Sequence, residues 1–597
     1  MVGVAVAVSA GRAAAVRAGS VTSHAVGRLP FGGVTSVRGE RAMKMRRGPR
    51  RLAGTAVAVA FLSAGAAASA VPGGVRPGER AVAERVTVRT DAGLVLGVRS
   101  ARHRIFQGIP YAGPPEGAYR WAAPRPVRPW KGVRDAAAPG ALCPQVPSPY
   151  AQVSSEEEDC LFLNVTAPAA VRHRPAPVLV WIHGDGSVGA GSFFDARRLA
   201  DRGVVVVTVN YRLGIFGGFA HPNLKGSGTF GLQDQQAALR WVRRNAAAFG
   251  GDAGNVTVAG SSFGAAAITG HLTSPGARGL FHRAVLSSGE GMMDLPTGAM
   301  GPDVPGYPWF VWRTAREAEE ISAEMTSSLG CTVPDPARTL RCLRALPVKR
   351  ILKVPHIMNA FQFFAYGNAT LPRLPARSLR EGRFHRVPVL SGATRDEHRT
   401  FVGMLYDAVG KPFTGDDYGR ALTKAFGGRA DAVRAQYPPA RFPSPAIAWS
   451  AVVTDRLWAR GTHAQHMALS RYVPTYAYEF ADRNAPMYLP LPGRFAFGAY
   501  HAGDTPYLFE EPEVSKRFTA AQRWLSDTMT DQWAAFARTG TPNGLRLPAW
   551  RPYRAADPRP SYRDADPRPY TQSLTPDGIA PVDYAHEHAL GFWRGFP

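Results

Sequence analysis

The sequence predicts an α/β fold: a large, mostly parallel central sheet flanked by helices, with helical insertions. Three observations carry this. Apolar runs such as Val178–His183 (VLVWIH) and Val204–Tyr211 (VVVVTVNY) are unbroken and rich in β-branched residues, as strands buried on both faces are. They alternate with helical patterns, the longest being Gly231–Gly250, which ends on a glycine stop. Strand–helix alternation over so much chain requires crossover connections and therefore parallel pairing.

Taken in order, the chain opens with an address. Met43–Arg51 (MKMRRGPRR) is basic, Leu52–Ala67 is uncharged and apolar, and Ala68–Ala70 is a small-residue cleavage site. Together they read as a secretory signal peptide. Residues 1–42 precede any usual basic region, so the reading takes Met43 or Met45 as the start of translation. An uncleaved anchor is the rival, but the run is short and rich in Ala and Gly for a span. Residues 1–70 are assigned to this extension and 71–597 to a single domain with no stable membrane span after cleavage. Strands are expected at Val178–His183, Val204–Tyr211, Asn255–Gly260, Arg283–Ser288, Val387–Gly392 and Thr475–Phe480, with a helix at Phe263–Leu272. A short duplication, Tyr553–Pro569, is Pro-rich and reads as loop.

Composition bounds the function. Of 597 residues, 45% are hydrophobic, enough for a large buried interior. The formal charge is +26, yet only 8 of the 71 basic residues are Lys, and the Arg residues are scattered singly with no stripe. This is a solvated basic surface rather than a nucleic-acid footprint. The four cysteines, Cys143, Cys160, Cys331 and Cys342, allow three pairings by order alone. Pairing neighbours closes two short loops, and no pair has metal-site spacing.

The chemistry centres on Ala259–Ala267 (AGSSFGAAA). Ser262 is the middle of Gly260-Ser261-Ser262-Phe263-Gly264, a G-x-S-x-G that follows a predicted strand and opens a predicted helix, the context this motif needs to act as a nucleophile elbow. The glycines two residues away on each side leave room for a strained turn, and the helix N-terminus faces developing negative charge. Ser261 lacks such flanking glycines. A packed small-residue turn is the bland alternative.

A serine hydroxyl needs a base, and the base an orienting acid. Ser155–Val165, Trp181–Gly186, Asn210–Phe219, Gly231–Ala266, Ser391–Phe401 and Gly498–Phe509 resemble, in order, the motifs of the type-B carboxylesterases, the cholinesterase-like branch of the α/β-hydrolase fold. The likeness runs from about residue 83 to Phe592–Phe596. It implies Ser262 as nucleophile, Glu397 as acid with Asp396 as competitor, and His501 as base. It also implies the disulfides Cys143–Cys160 and Cys331–Cys342, and ester hydrolysis with no metal or cofactor. Ser288 falls where relatives place a serine near the triad, or is an ordinary strand-end hydroxyl; His183 reads as a packed neighbour of the oxyanion motif rather than a base.

The chain departs from the family at three positions. Where three glycines are usual it has Gly184-Asp185-Gly186, so the implied oxyanion amides are those of Asp185, Gly186 and Phe263. Asp tolerates left-handed backbone, but its charge would oppose an oxyanion, and Asp185→Gly is expected to raise turnover. Ser261 and Phe263 replace the usual Glu and Ala beside the nucleophile. The reading is a secreted serine esterase acting on a small-molecule ester, slower than its relatives. The alternative is a catalytically weak or silent cholinesterase-like binding protein; a lipase is disfavoured because no amphipathic lid is visible. These residues do not name the ester or the oligomeric state.

Overall fold

Each strand of the sheet centre is built from side chains that alternate between two apolar layers. The computed structural model describes residues 84–170, 174–491, 495–554 and 569–596; the extension and signal peptide assigned to 1–70, and most of the tail duplication, lie outside them. In chain order the strands are β1 (Glu84–Arg89), β2 (Leu94–Arg99), β3 (His103–Pro110), β4 (Val133–Asp135), β5 (Phe162–Pro168), β6 (Ala176–Ile182), β7 (Val205–Val209), β8 (Gly251–Ser261), β9 (Arg283–Ser287), β10 (Trp312–Thr314), β11 (Phe364–Tyr366), β12 (Val389–Thr394), β13 (Thr475–Phe480), β14 (Thr571–Thr575) and β15 (Gly578–Val582).

Thirteen of these form one sheet in the order β1-β2-β3-β5-β7-β6-β8-β9-β12-β13-β14-β15, with β4 beside β2; β10 and β11 pair separately. From β7 to β14 every neighbouring pair is parallel; the pairs at both margins are antiparallel except β2–β4, which is parallel. All six expected strands are present within a few residues, and the expected helices are Phe230–Asn245 and Phe263–Thr273. The first is followed by a short 3₁₀ turn ending on Gly250, which takes φ 83°, the left-handed stop that glycine allows without penalty.

The period-2 pattern explains why β6 is apolar throughout. Val178, Val180 and Ile182 enter one core layer with Leu239, Trp241 and Ile268 of the two helices. Leu179 and Trp181 enter the other, with Leu525, Met529, Trp533 and Phe536 of the helix Ala520–Thr539. A strand sandwiched in this way is apolar on both faces unless a buried polar group finds a partner. A third apolar cluster joins inserted helices, including Gly415–Phe426 and Pro445–Val453, to Trp593 near the C-terminus. Cys143–Cys160 and Cys331–Cys342 are disulfide-bonded, the pairing that the resemblance implies. Among the described residues, no helix is long and apolar enough to cross a membrane.

The C-terminal segment is held by a buried ionic cluster. His588 Nδ1 lies 2.6 Å from Asp455 and Nε2 2.6 Å from Glu479 of β13. Tyr437 donates to Asp455 at 2.7 Å and accepts from the Trp593 indole at 2.8 Å. Burial alone would lower the pKa of His588, but the two carboxylates override it and raise it to about 10. The imidazolium therefore contributes its full stability below the ordinary histidine range and loses it as pH rises toward 10. Thermal unfolding followed from pH 7 to 10 should show Tm falling, and His588→Gln should remove that pH-dependent part. His588→Gln should also cost about 3–5 kcal/mol at neutral pH, because two carboxylates lose their buried cation.

Candidate active site

The pairing of β6 with β8 sets Ile182 opposite Gly260, so the loops leaving both strands start side by side at the C-terminal edge of the sheet. Open α/β sheets form their sites at that edge. Ser262 follows β8 directly, with φ 56° and ψ −125°, and the next helix starts at Phe263. Such a dihedral in a non-glycine residue costs about 1–3 kcal/mol and persists only when its surroundings impose it. Here β6 is part of those surroundings. A Cβ on Gly264 would stand 2.2 Å from the Ile182 carbonyl oxygen, and one on Gly260 would stand 2.6 Å from the same atom. Both positions must be glycine for the turn to close. The Ser262 N–H is tied to the Ser287 carbonyl at 2.8 Å.

The residues predicted from three distant segments converge. His501 Nε2 lies 2.9 Å from Ser262 Oγ, and His501 Nδ1 pairs with Glu397 Oε2. The other Glu397 oxygen accepts the Thr394 N–H at 2.7 Å. Glu397 and His501 are buried, while Ser262 keeps partial exposure. The competitor Asp396 is engaged elsewhere: Arg399 and Arg483 lie 2.9 and 3.0 Å from its carboxylate, and Ala499 N–H donates to it at 3.0 Å. Trp458 and Phe401 pack on the His501 ring at 4.9 and 5.2 Å. Trp458 belongs to a π-helical turn, Thr454–Ala459, and such turns recur at functional sites.

The loop after β6 passes so close to the serine that a Cβ on Gly184 would lie 2.9 Å from Ser262 Cβ. Asp185 and Gly186 both take positive φ, 65° and 84°. The Asp185 side chain is turned onto its own loop. Its Oδ1 accepts Ser187 N–H at 2.8 Å, Val188 N–H at 3.1 Å, the Ser187 hydroxyl, and the Gln362 amide at 3.1 Å. Burial pushes the Asp185 carboxyl upward, and these donors pull it back toward the charged form. Gly186 N–H donates to the Gly184 carbonyl at 2.9 Å, and Gly186 accepts from Gly214 N–H at 2.7 Å. The Phe263 ring lies against Gly186, where a Cβ would fall 2.6 Å away, and stacks on Phe364 at 4.4 Å.

His183 stacks on Tyr211 at 4.5 Å and is held neutral by burial, its pKa lowered to about 4. It is far too weak a base at neutral pH to serve as one. Ser288 is buried with φ 52°, and the next residue, Gly289, abuts the Ser262 carbonyl. Gln362, Ser187 and Phe364 escaped the sequence reading. Ser187 bonds Asp185 within its own turn, whereas Gln362 meets Asp185 across 177 residues and Phe364 meets Phe263 through a contact only the fold creates.

Residues 84–575 match the model of the Carboxylesterase family. Human Carboxylesterase 3 is 32% identical over 497 residues, 76% of this chain and 82% of its own. Para-nitrobenzyl esterase of Bacillus subtilis (strain 168) is 35% identical over 479 residues, 76% and 90% of the two chains. Acylcarnitine hydrolase of Mus musculus is 31% identical over 478 residues, 74% and 80%. The chain therefore belongs to the carboxylesterase family, the type-B branch of the α/β-hydrolase fold, and is a carboxylic ester hydrolase.

Proposed function

We propose that this protein cleaves a small-molecule carboxylic ester through an acyl-enzyme formed on Ser262. The observation that carries the reading is the unbroken chain from Ser262 Oγ through His501 to Glu397, anchored at a strained strand-to-helix turn. His501 Nε2 takes the hydroxyl proton as Oγ attacks the ester carbonyl. Glu397 holds the other ring nitrogen and stabilises the imidazolium that forms. The imidazolium then protonates the leaving alcohol, and water repeats the sequence to release the acid. The oxyanion is assigned to the amides of Asp185, Gly186 and Phe263. In this assignment the Gly186 N–H shares itself between the Gly184 carbonyl and the oxyanion. Ser262→Ala should keep the fold and remove both the alcohol burst and fluorophosphonate labelling, with kcat down by about 10⁴–10⁶. A variant that still turns over at wild-type rate would end the assignment, and would favour a different nucleophile.

Export and a single catalytic domain complete the reading. Two disulfides support an oxidising compartment, in keeping with the N-terminal address.

Asp185 is assigned two opposing effects. Its charge resists an oxyanion, while its Oδ1 staples the loop through Ser187, Val188 and Gln362. Asp185→Asn keeps an acceptor and removes the charge. It should raise kcat on 4-nitrophenyl acetate by up to about tenfold, whereas Asp185→Gly frees the loop and should gain less. Equal or lower turnover in Asp185→Asn would mean that the charge does no harm.

The substrate is assigned a short acyl chain. Support comes from the Phe263–Phe364 stack beside Gly186, which fills space next to the serine. A panel of 4-nitrophenyl esters should favour acetate to butyrate. Phe263→Ala should move the optimum to longer chains, with kcat/KM on the hexanoate up by about tenfold, within the range of a few methylenes in a hydrophobic pocket. An unchanged chain-length profile would place the acyl group elsewhere.

A further inference from the structure

The site holds a carboxylic acid that the reaction does not use. β9 ends at Ser287, and two residues on, a Cβ at Gly289 would stand 1.9 Å from the Ser262 carbonyl oxygen. The next residue, Glu290, is 0% exposed. Neither carboxyl oxygen makes a close hydrogen bond; the Thr462 hydroxyl and the Gly289 and Glu290 amides are the polar groups that act on it. The strongest charge acting on it is that of Glu397. What faces it is the Thr462 hydroxyl, borne by the helix Arg460–Leu469; Glu397 from the turn after β12; and the amides of Gly289 and Glu290. Tyr478 of β13 and Tyr584 near the C-terminus also feel it, and these tyrosines in turn face Asp504 and Glu479. The acids that surround Glu290 in this way are Glu397 directly and Asp504 and Glu479 through the two tyrosines.

Two adjacent carboxyls in a dry interior cannot both ionise cheaply. Glu397 has the His501 ring and the Thr394 N–H to stabilise its charge; Glu290 has no comparable partner. We propose that Glu290 is a positioning residue held as a neutral carboxylic acid, with Thr462 Oγ1 as the acceptor at hand, which leaves Glu397 as the sole anion orienting His501. Burial first, and the charge of Glu397 second, push its pKa well above the ordinary carboxylate range, which agrees with that geometry. The neighbouring Asp504 is raised to about 6 by the same two causes. A neutral Glu290 thus keeps a third negative charge away from the imidazole.

The inference rests on the triad reading, and its test separates the two. If Glu290 is neutral, Glu290→Gln removes no charge, and the acid-limb midpoint of kcat/KM should stay within about 0.3 pH unit of wild type. If Glu290 were ionised, the same variant would take an anion from beside His501 and lower that midpoint by about 1 unit or more. Thermal unfolding supplies a readout that needs no activity. A carboxyl raised in the folded state withdraws stability as pH climbs above its unfolded value. The Tm of Glu290→Gln should therefore gain on wild type steadily from about pH 5 to pH 9. A midpoint lowered by a unit, or a Tm difference independent of pH, overturns the proposal. Should the glutamine variant fail to fold, Glu290→Leu carries the same two comparisons. An active Ser262→Ala would sink the triad reading and leave the Tm comparison standing.

Discussion

The site depends on the parallel pairing of β6 and β8. That pairing sets the Ile182 carbonyl against Gly260 and Gly264. Three consequences follow from one contact. The turn after β8 has no room for side chains at its flanks. Ser262 is forced into a left-handed dihedral that lifts its hydroxyl out of the strand–helix corner. The loop after β6 runs alongside, with Gly184 against the Ser262 side chain. A sheet with these strands one position apart would separate the serine from the loop that completes the site. The apolar layers on both faces of β6 are what hold the pairing, because a one-residue slip would swap Leu179 and Trp181 with Val178 and Val180 between layers.

Around that contact, burial and partners decide which groups are charged. His183, His398 and His466 are buried with no carboxylate partner, and burial lowers them to about 4, 3 and 3. His588 is as deeply buried but lies between Asp455 and Glu479, and is raised instead. Depth alone therefore does not predict the state of an imidazole; the carboxylate beside it does. The same rule separates adjacent acids. Asp396 takes the arginines, and Glu397 takes the histidine. Two neighbouring carboxylates thus have unrelated partners, one locking the loop to Arg399 and Arg483 and the other holding the His501 ring.

How much was legible in the sequence follows from range. The elbow is local: five residues state it, and the strand before and helix after can be read from pattern. The apolar strands were equally plain, because burial on two faces leaves a continuous β-branched run. Glu397 and His501 were another matter. Each is one of many acids and histidines, and only their resemblance to ordered family motifs singled them out. The Asp185 staple was invisible. Aspartate in a glycine position reads as a stray charge, and nothing local announces that Gln362 will reach it. Glu290 was missed for a related reason. A lone acid after a strand end looks like the start of a solvated loop, and its complete burial comes from a helix and a C-terminal segment far along the chain.

The departures beside the nucleophile make sense together better than singly. Three glycines in a row give a loop many conformations, and holding it in one costs conformational entropy. Asp185 removes part of that freedom, since its side chain is fixed by two backbone amides and Gln362. Phe263 adds a second restraint by pressing its ring on Gly186 from the helix side, with Phe364 behind it. The loop is thus pinned from its own backbone and from across the site. A preorganised loop loses nothing when charge develops, which favours catalysis, while the carboxylate that pins it opposes that charge. Which effect prevails depends on how completely the donors around Oδ1 offset the charge. Burial raises the Asp185 carboxyl, and the Ser187, Val188 and Gln362 donors act in the opposite direction. The same Phe263 ring that restrains the loop takes up volume beside the serine.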